Sequence, residues 1–185
     1  MKSDEELFHG FQRGETDCFE QLVLRYRRKL TCYIYRIIAD ADAAEDVAQD
    51  VFAYLYVYPE KYRDGYPLSS FLYTLAHRRS VDYIRKHHRQ VPSDLSSLDG
   101  EDAALTPDDT LDASERKIAV AKAMNALKAE YREVLYLIYF EELSHKEAAR
   151  ILGKTQPQVK VMVHRARKAL GVLAYGDLLM LLRNQ

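Results

Sequence analysis

Apolar residues return every three or four positions through most of the chain, and no stretch of useful length alternates as a strand would. The longest such pattern follows Thr16. Phe19, Leu22, Val23, Tyr26, Leu30, Tyr33, Ile34 and Ile37 share one helical face, with Arg25, Arg27, Arg28, Lys29 and Arg36 spread over the rest. Ahead of it, Ser3 and Glu6 form a capping box for a short helix through Leu7, Phe8 and Phe11, which Gly10 and Gly14 interrupt. Asp42 and Glu45 carry the next start signal, for a helix whose apolar side is Val47, Val51, Tyr54, Leu55 and Tyr58. A loop rich in breakers, Pro59 to Pro67, leads to a helix with Phe71, Leu72, Leu75, Ala76, Val81 and Ile84 on its core face.

Periodicity then lapses over residues 91–113, a run of Ser, Asp, Pro and Gly that reads as a flexible linker. A helix capped by Ser114 runs through Ile118, Val120, Ala121, Met124 and Leu127, and Tyr131 to Phe140 gives a second, strongly apolar one. Between Ser144 and Leu170 lie two further capping boxes, Ser144 with Glu147 and Thr155 with Gln158. The first opens a helix with Ala148, Ala149, Ile151 and Leu152 on its apolar face. The second opens one with Val159, Met162, Val163, Ala166 and Leu170, where Pro157 suits the first turn. Ala149 offers no bulk where the two helices cross, and Gly153 tolerates a left-handed turn, so the pair predicts a helix-turn-helix. The tail after Gly171 predicts a short packed helix or a partner surface. The fold class expected is all-α: two small helical domains, 1–92 and 116–185, joined by a flexible acidic linker, 93–115. The second is a four-helix domain containing the helix-turn-helix.

Charge changes the picture. The net value of −1 divides into 14 basic against 14 acidic residues over 1–92, none against eight over 93–115, and 13 against six over 116–185. An acidic connector therefore hides a basic C-terminal half, as a nucleic-acid partner requires. Opposite its apolar stripe, the last helix carries Gln156, Lys160, His164, Arg165, Arg167 and Lys168, which reach phosphates and base edges. The helix after Pro67 interleaves cations with aromatics, from Tyr73 to Arg89, and suits a single strand whose backbone meets arginine while its bases stack. Any one of these tyrosines is still better read as core. Glu45, Asp46, Gln49 and Asp50 would repel phosphate. They either face a basic protein surface or complement the dipole of their own helix.

Other chemistries find no residues. There is no phosphate-binding glycine loop, nucleophile elbow, HExxH or dinucleotide glycine pattern, so neither an enzyme nor a cofactor is expected. The adjacent His87 and His88 point apart on a helix, and no metal is expected. Cys18 and Cys32 stand alone as reduced thiols, with a redox role left open. No apolar run could span a bilayer and MKSDEELFHG lacks signal-peptide parts, so a cytoplasmic protein without membrane insertion is expected.

GETDCFEQL from Gly14, AEDVAQDVF from Ala44, FLYTLAHRRSVDYIRK from Phe71, YREVLYLIYFEELSHKEAARILG from Tyr131 and VKVMVHRARKAL from Val159, in this order, make the chain resemble the extracytoplasmic-function sigma factors. These are the two-domain initiation subunits of bacterial RNA polymerase. The resemblance implies that Glu45, Asp46, Gln49, Asp50 and Phe52 bind the clamp helices of core RNA polymerase. It implies that Tyr62, Arg63, Tyr66, Tyr73, Thr74, His77, Arg78, Arg79, Arg85 and Lys86 capture the melted minus 10 strand of promoter DNA, with one base flipped into a protein pocket. It places Thr155, Gln156, Gln158, Lys160, Val161, His164, Arg165, Arg167 and Lys168 in the major groove of the minus 35 element. It further implies an anti-sigma factor as partner, and an acidic linker threading the polymerase channel.

The chain departs from the family pattern at several positions. Phe71 stands where many members have Trp, and Arg78 where many have Asn. Lys128 and Ala129 replace a usual Leu-Pro, while Gln156, Pro157 and Gln158 replace the familiar Gly-Thr ahead of the recognition helix. Promoter preference is therefore not legible, although Gln156 or Gln158 suits adenine and Lys160 or Arg165 suits guanine. The competing readings are a stand-alone helix-turn-helix regulator and a protein-interaction module whose basic face is merely solvated.

Overall fold

The computed structural model describes residues 2–88, 123–124 and 126–183, and side chains as far as 87 in the first stretch and 171 in the last. The acidic connector and most of the helix expected from Ser114 lie outside the described residues. Every regular element among those described is helical, as expected: α1 (Asp4–Gln12), α2 (Thr16–Ile38), α3 (Ala41–Val57), a 3-10 turn (Pro59–Lys61), α4 (Leu68–His88), α5 (Ala129–Tyr139), α6 (His145–Ile151) and α7 (Gln156–Arg183). They fall into two compact units, one built on α1 to α4 and one on α5 to α7.

In the N-terminal unit α2 is the central rod, and α1, α3 and α4 all pack on it. Leu22, Leu30, Tyr33 and Ile34 are fully enclosed, as the spacing of the apolar positions predicts. The Ser3–Glu6 capping box forms in both directions, Glu6 N donating to Ser3 Oγ at 3.1 Å and Ser3 N to Glu6 Oε2 at 2.6 Å. Gly10 does not interrupt α1. A Cβ there would stand 2.6 Å from Cys18 Sγ, so the missing side chain lets α1 and α2 close on each other. Arg25 and the Tyr26 hydroxyl both bond the Asp4 carboxylate and pin the same seam. Burial and that carboxylate raise the Tyr26 phenol well above its ordinary pKa.

The cap of α3 is Asp40, which accepts from Ala43 N at 3.0 Å, two residues earlier than the Asp42 and Glu45 signal implied. An acid at either place can serve, and local geometry chose the first. Burial in α4 also differs from the expected stripe. Leu68, Phe71, Leu72, Tyr73, Thr74, Ala76 and Ser80 are buried, while Leu75, Val81 and Ile84 are only partly covered. The start of α4 is enclosed almost all round, because α1, α2 and α3 each lie against it.

In the C-terminal unit α5 packs on α7; Val134, Leu135 and Leu137 of the first and Val159, Val163 and Ala166 of the second are buried. Ala123 and Met124, the described end of the first helix expected here, are buried as well, and so is Leu127 in the bend that follows. Helix α7 runs through Gly171 without a break. A glycine costs only about 1 kcal/mol in a helix interior, and its neighbours Ala169, Leu170 and Leu173 are strong helix formers.

Candidate nucleic-acid interface

The turn between α6 and α7 is built as the two capping boxes demand. Ser144 N donates to Glu147 Oε2 at 2.7 Å and Glu147 N to Ser144 Oγ at 3.3 Å. Thr155 N donates to Gln158 Oε1 at 2.8 Å and Gln158 N to Thr155 Oγ1 at 3.4 Å. Gly153 sits at φ 62°, and Lys154 N closes the end of α6 on the Ala149 carbonyl at 2.9 Å. Ala148, Ala149 and Ile151 are buried.

This fixes which face α7 presents. With Val159, Val163 and Ala166 turned inward, Gln156, Gln158, Lys160, Val161, His164, Arg165, Arg167 and Lys168 are all exposed, together with Thr155 ahead of them. Four Lys or Arg side chains make an anion-seeking ridge. Val161 adds a methyl-bearing surface of the kind that meets thymine. One expectation narrows: Gln158 Oε1 already accepts from both the Thr155 amide and the Thr155 hydroxyl, the latter at 3.0 Å. A bidentate pair to adenine would open that cap. Gln156 carries no such commitment.

The side chains expected on the N-terminal unit do not share one environment. Tyr73 is fully buried, edge-on to Tyr33 with ring centroids 5.1 Å apart. Tyr62 is buried against Phe8, Phe71 and Tyr66, and its hydroxyl donates to the Tyr66 carbonyl at 2.9 Å. It shapes the 62–66 loop from within, and burial followed by nearby Glu5 pushes its phenol up to about 12. Thr74 is buried too, its hydroxyl donating to the Ser70 carbonyl at 2.7 Å. What remains accessible is Arg63, Tyr66, His77, Arg78, Arg79, Arg85 and Lys86. Next to the last two lies a pair not singled out from the sequence: the His87 ring stacks on Tyr83 at 3.9 Å and 24°. Spacing i and i+4 was the only signal, and it is common on helices.

On α3, Asp46, Gln49 and Asp50 are exposed and Glu45 is half-buried, whereas Phe52 is buried with Val47, Val51 and Leu55 in the core. A helix dipole accounts for acids only within the first turn, which here holds Asp42. It does not account for Asp46 or Asp50. Two neighbouring helices reach this patch: Arg27 of α2 pairs with Glu45, and Arg79 of α4 lies 3.4 Å from Asp50 while its guanidinium covers the Tyr54 ring at 5.3 Å. Asp46 has no ion-pair partner among the described residues. The sequence carried no signal for these pairs, since their members stand 18 and 29 positions apart.

Among the described residues no group of three His, Cys, Asp or Glu side chains could hold a metal ion, and no helix is long and apolar enough to cross a membrane. Cys18 is a buried free thiol that donates to Glu15 at 3.4 Å and accepts from Lys2 at 3.5 Å, and Cys32 is also free.

Comparison with known proteins joins the two units. The family model for sigma-70 region 2 matches residues 22–90, and that for sigma-70 region 4 matches residues 117–170. The chain is 29% identical over 179 residues to the RNA polymerase sigma-H factor of Pseudomonas aeruginosa, covering 92% of this chain and 93% of the relative. It is 29% identical to the ECF RNA polymerase sigma factor SigW of Bacillus subtilis, covering 86% and 90%. Among solved structures it resembles the sigma factor RpoE in complex with the anti-sigma factor NepR from Bartonella quintana, with a TM-score of 0.68 and 29% identity over 86% of this chain and 98% of that one. CnrH, solved with the cytosolic domain of CnrY, shares the fold at a TM-score of 0.66 and 22% identity, over 95% and 99%. With both sigma-70 regions present in order, and relatives of this kind matching along nearly its whole length, the chain belongs to the extracytoplasmic-function sigma factors of RNA polymerase.

Proposed function

We propose that the protein is an alternative sigma factor that takes core RNA polymerase to particular promoters and starts transcription there, working in the cytoplasm and without a catalytic site of its own. The observation that carries this reading is the division of charge. Exposed acids on α3 suit a basic protein surface, while the cations of α4 and α7 suit DNA. In this reading residues 1–92 bind the polymerase through Glu45, Asp46, Gln49 and Asp50, and hold the melted minus 10 strand with Arg63, Tyr66, His77, Arg78, Arg79, Arg85 and Lys86. Residues 116–185 lay α7 in the minus 35 major groove. Phe52, Tyr62, Tyr73 and Thr74 support these surfaces from the core side. Two weak contacts on one chain become strong together, because engagement of the first raises the effective concentration of the second. An anti-sigma factor is the expected inhibitor, since the similar sigma factor RpoE is solved in complex with the anti-sigma factor NepR.

Addition of the protein to purified core polymerase should give RNA from discrete start sites, which sequencing of 5′ ends would map. A gel shift should show promoter binding that is poor alone and strong with core; tight, symmetric duplex binding without core would instead favour a free-standing regulator. Replacing Asp46 and Asp50 together with Lys should abolish polymerase pull-down while leaving the helical circular dichroism unchanged. Undiminished pull-down would remove this patch from the interface.

A further inference from the structure

Arg79 belongs to the helix that meets DNA, yet the structure shows its guanidinium occupied by the polymerase-facing helix. It lies 3.4 Å from Asp50 and over the Tyr54 ring, both on α3. We propose that Asp50 and Tyr54 hold Arg79 in reserve in the free protein, and that capture of Asp50 by a polymerase cation releases Arg79 to a phosphate of the separated strand. This rests on the sigma-factor reading, and it gives that reading a physical link between its two binding events.

The argument runs on competition for one cation. A guanidinium satisfied by a carboxylate and a ring face has little to gain from a phosphate until the carboxylate is taken elsewhere. Both side chains are reachable: Asp50 is 66% exposed and Arg79 33%. Exposure keeps the internal pair weak, of the order that a competing ion pair can displace. Tyr54 then keeps the released guanidinium near its place, because its ring does not depend on the carboxylate. Asp46, one turn earlier on α3, has no partner among the described residues and serves as the built-in control.

The test is a double-mutant cycle in the full-length free chain, read as affinity for a fluorescein-labelled single-stranded DNA 20-mer of mixed sequence at low salt. Arg79→Gln alone sets the baseline against which the double variant is read. Asp50→Asn should raise affinity by about 3- to 10-fold and steepen the salt dependence by about 0.7, one further phosphate contact on a single strand. In Asp50→Asn with Arg79→Gln that gain should vanish, and Asp46→Asn should give none. The proposal is overturned if Asp50→Asn gives no gain, if the gain survives loss of Arg79, or if Asp46→Asn matches it, which would leave only a change of net charge. Core polymerase is absent from this cycle, so its outcome is separate from the transcription assay that tests the function itself.

Discussion

In α7 the core side chains Val159, Val163 and Ala166 keep to one stripe, and every side chain expected to meet DNA is exposed. In α4 burial reaches round the first turns, and Tyr73 and Thr74, expected to meet DNA, are enclosed. The difference lies in how many neighbours each helix has. Helix α7 is held by its own unit from one side, whereas α1, α2 and α3 all crowd α4. A helix covered on one side separates packing from recognition along its length; one gripped on several sides makes the two share positions. The same crowding brings Asp50 and Tyr54 within reach of Arg79.

The sharpest way to break the comparison is Tyr73→Ala. Truncating a fully buried aromatic should cost about 3–5 kcal/mol and lower the thermal midpoint of the N-terminal unit, while Arg78→Ala, exposed on the same helix, should stay within about 0.5 kcal/mol and lose only strand affinity. A Tyr73→Ala protein as stable as the parent would return this ring to the DNA surface. On α7 the converse holds: reversing Arg165 and Lys168 to Glu should leave stability intact. Affinity for duplex DNA should nonetheless fall by about two orders of magnitude and its salt slope flatten by about 2. Unchanged binding would mean the basic ridge is only solvated. Thr155→Ala should cost about 1 kcal/mol through the lost hydroxyl cap, while the backbone amide of residue 155 still holds Gln158 Oε1, so thermal melting should shift with base preference little changed.

The smallest effect lies at the α1–α2 seam. Glu15 is held at about 2 chiefly by the Arg13 hydrogen bond, with Cys18 and Lys2 contributing. Its folded pKa is depressed, so its contribution is complete above pH about 4.5 and is lost as pH falls toward about 2. Glu15→Gln should flatten stability against pH across that window and nowhere else, as acid titration of the melting temperature would show.

The capping boxes were legible because they are local. Ser3 with Glu6, Ser144 with Glu147 and Thr155 with Gln158 each need only a three-residue spacing, and all three form. The left-handed Gly153 was legible for the same reason. Gly10 was misread as a break because its cause, the Cys18 sulfur, belongs to another helix. Phe52, Tyr62, Tyr73 and Thr74 were assigned to binding surfaces by the family resemblance, which does not say how many elements will close over a position.

The chain by itself determined the helices, their polarity and the family, because periodicity, caps and motif order are written in residues close together. Tertiary packing alone decided which aromatics became core, which acids were already matched by Arg27 and Arg79, and which cations stayed open. Those outcomes depend on distances between residues far apart in sequence, and only the assembled helices set such distances.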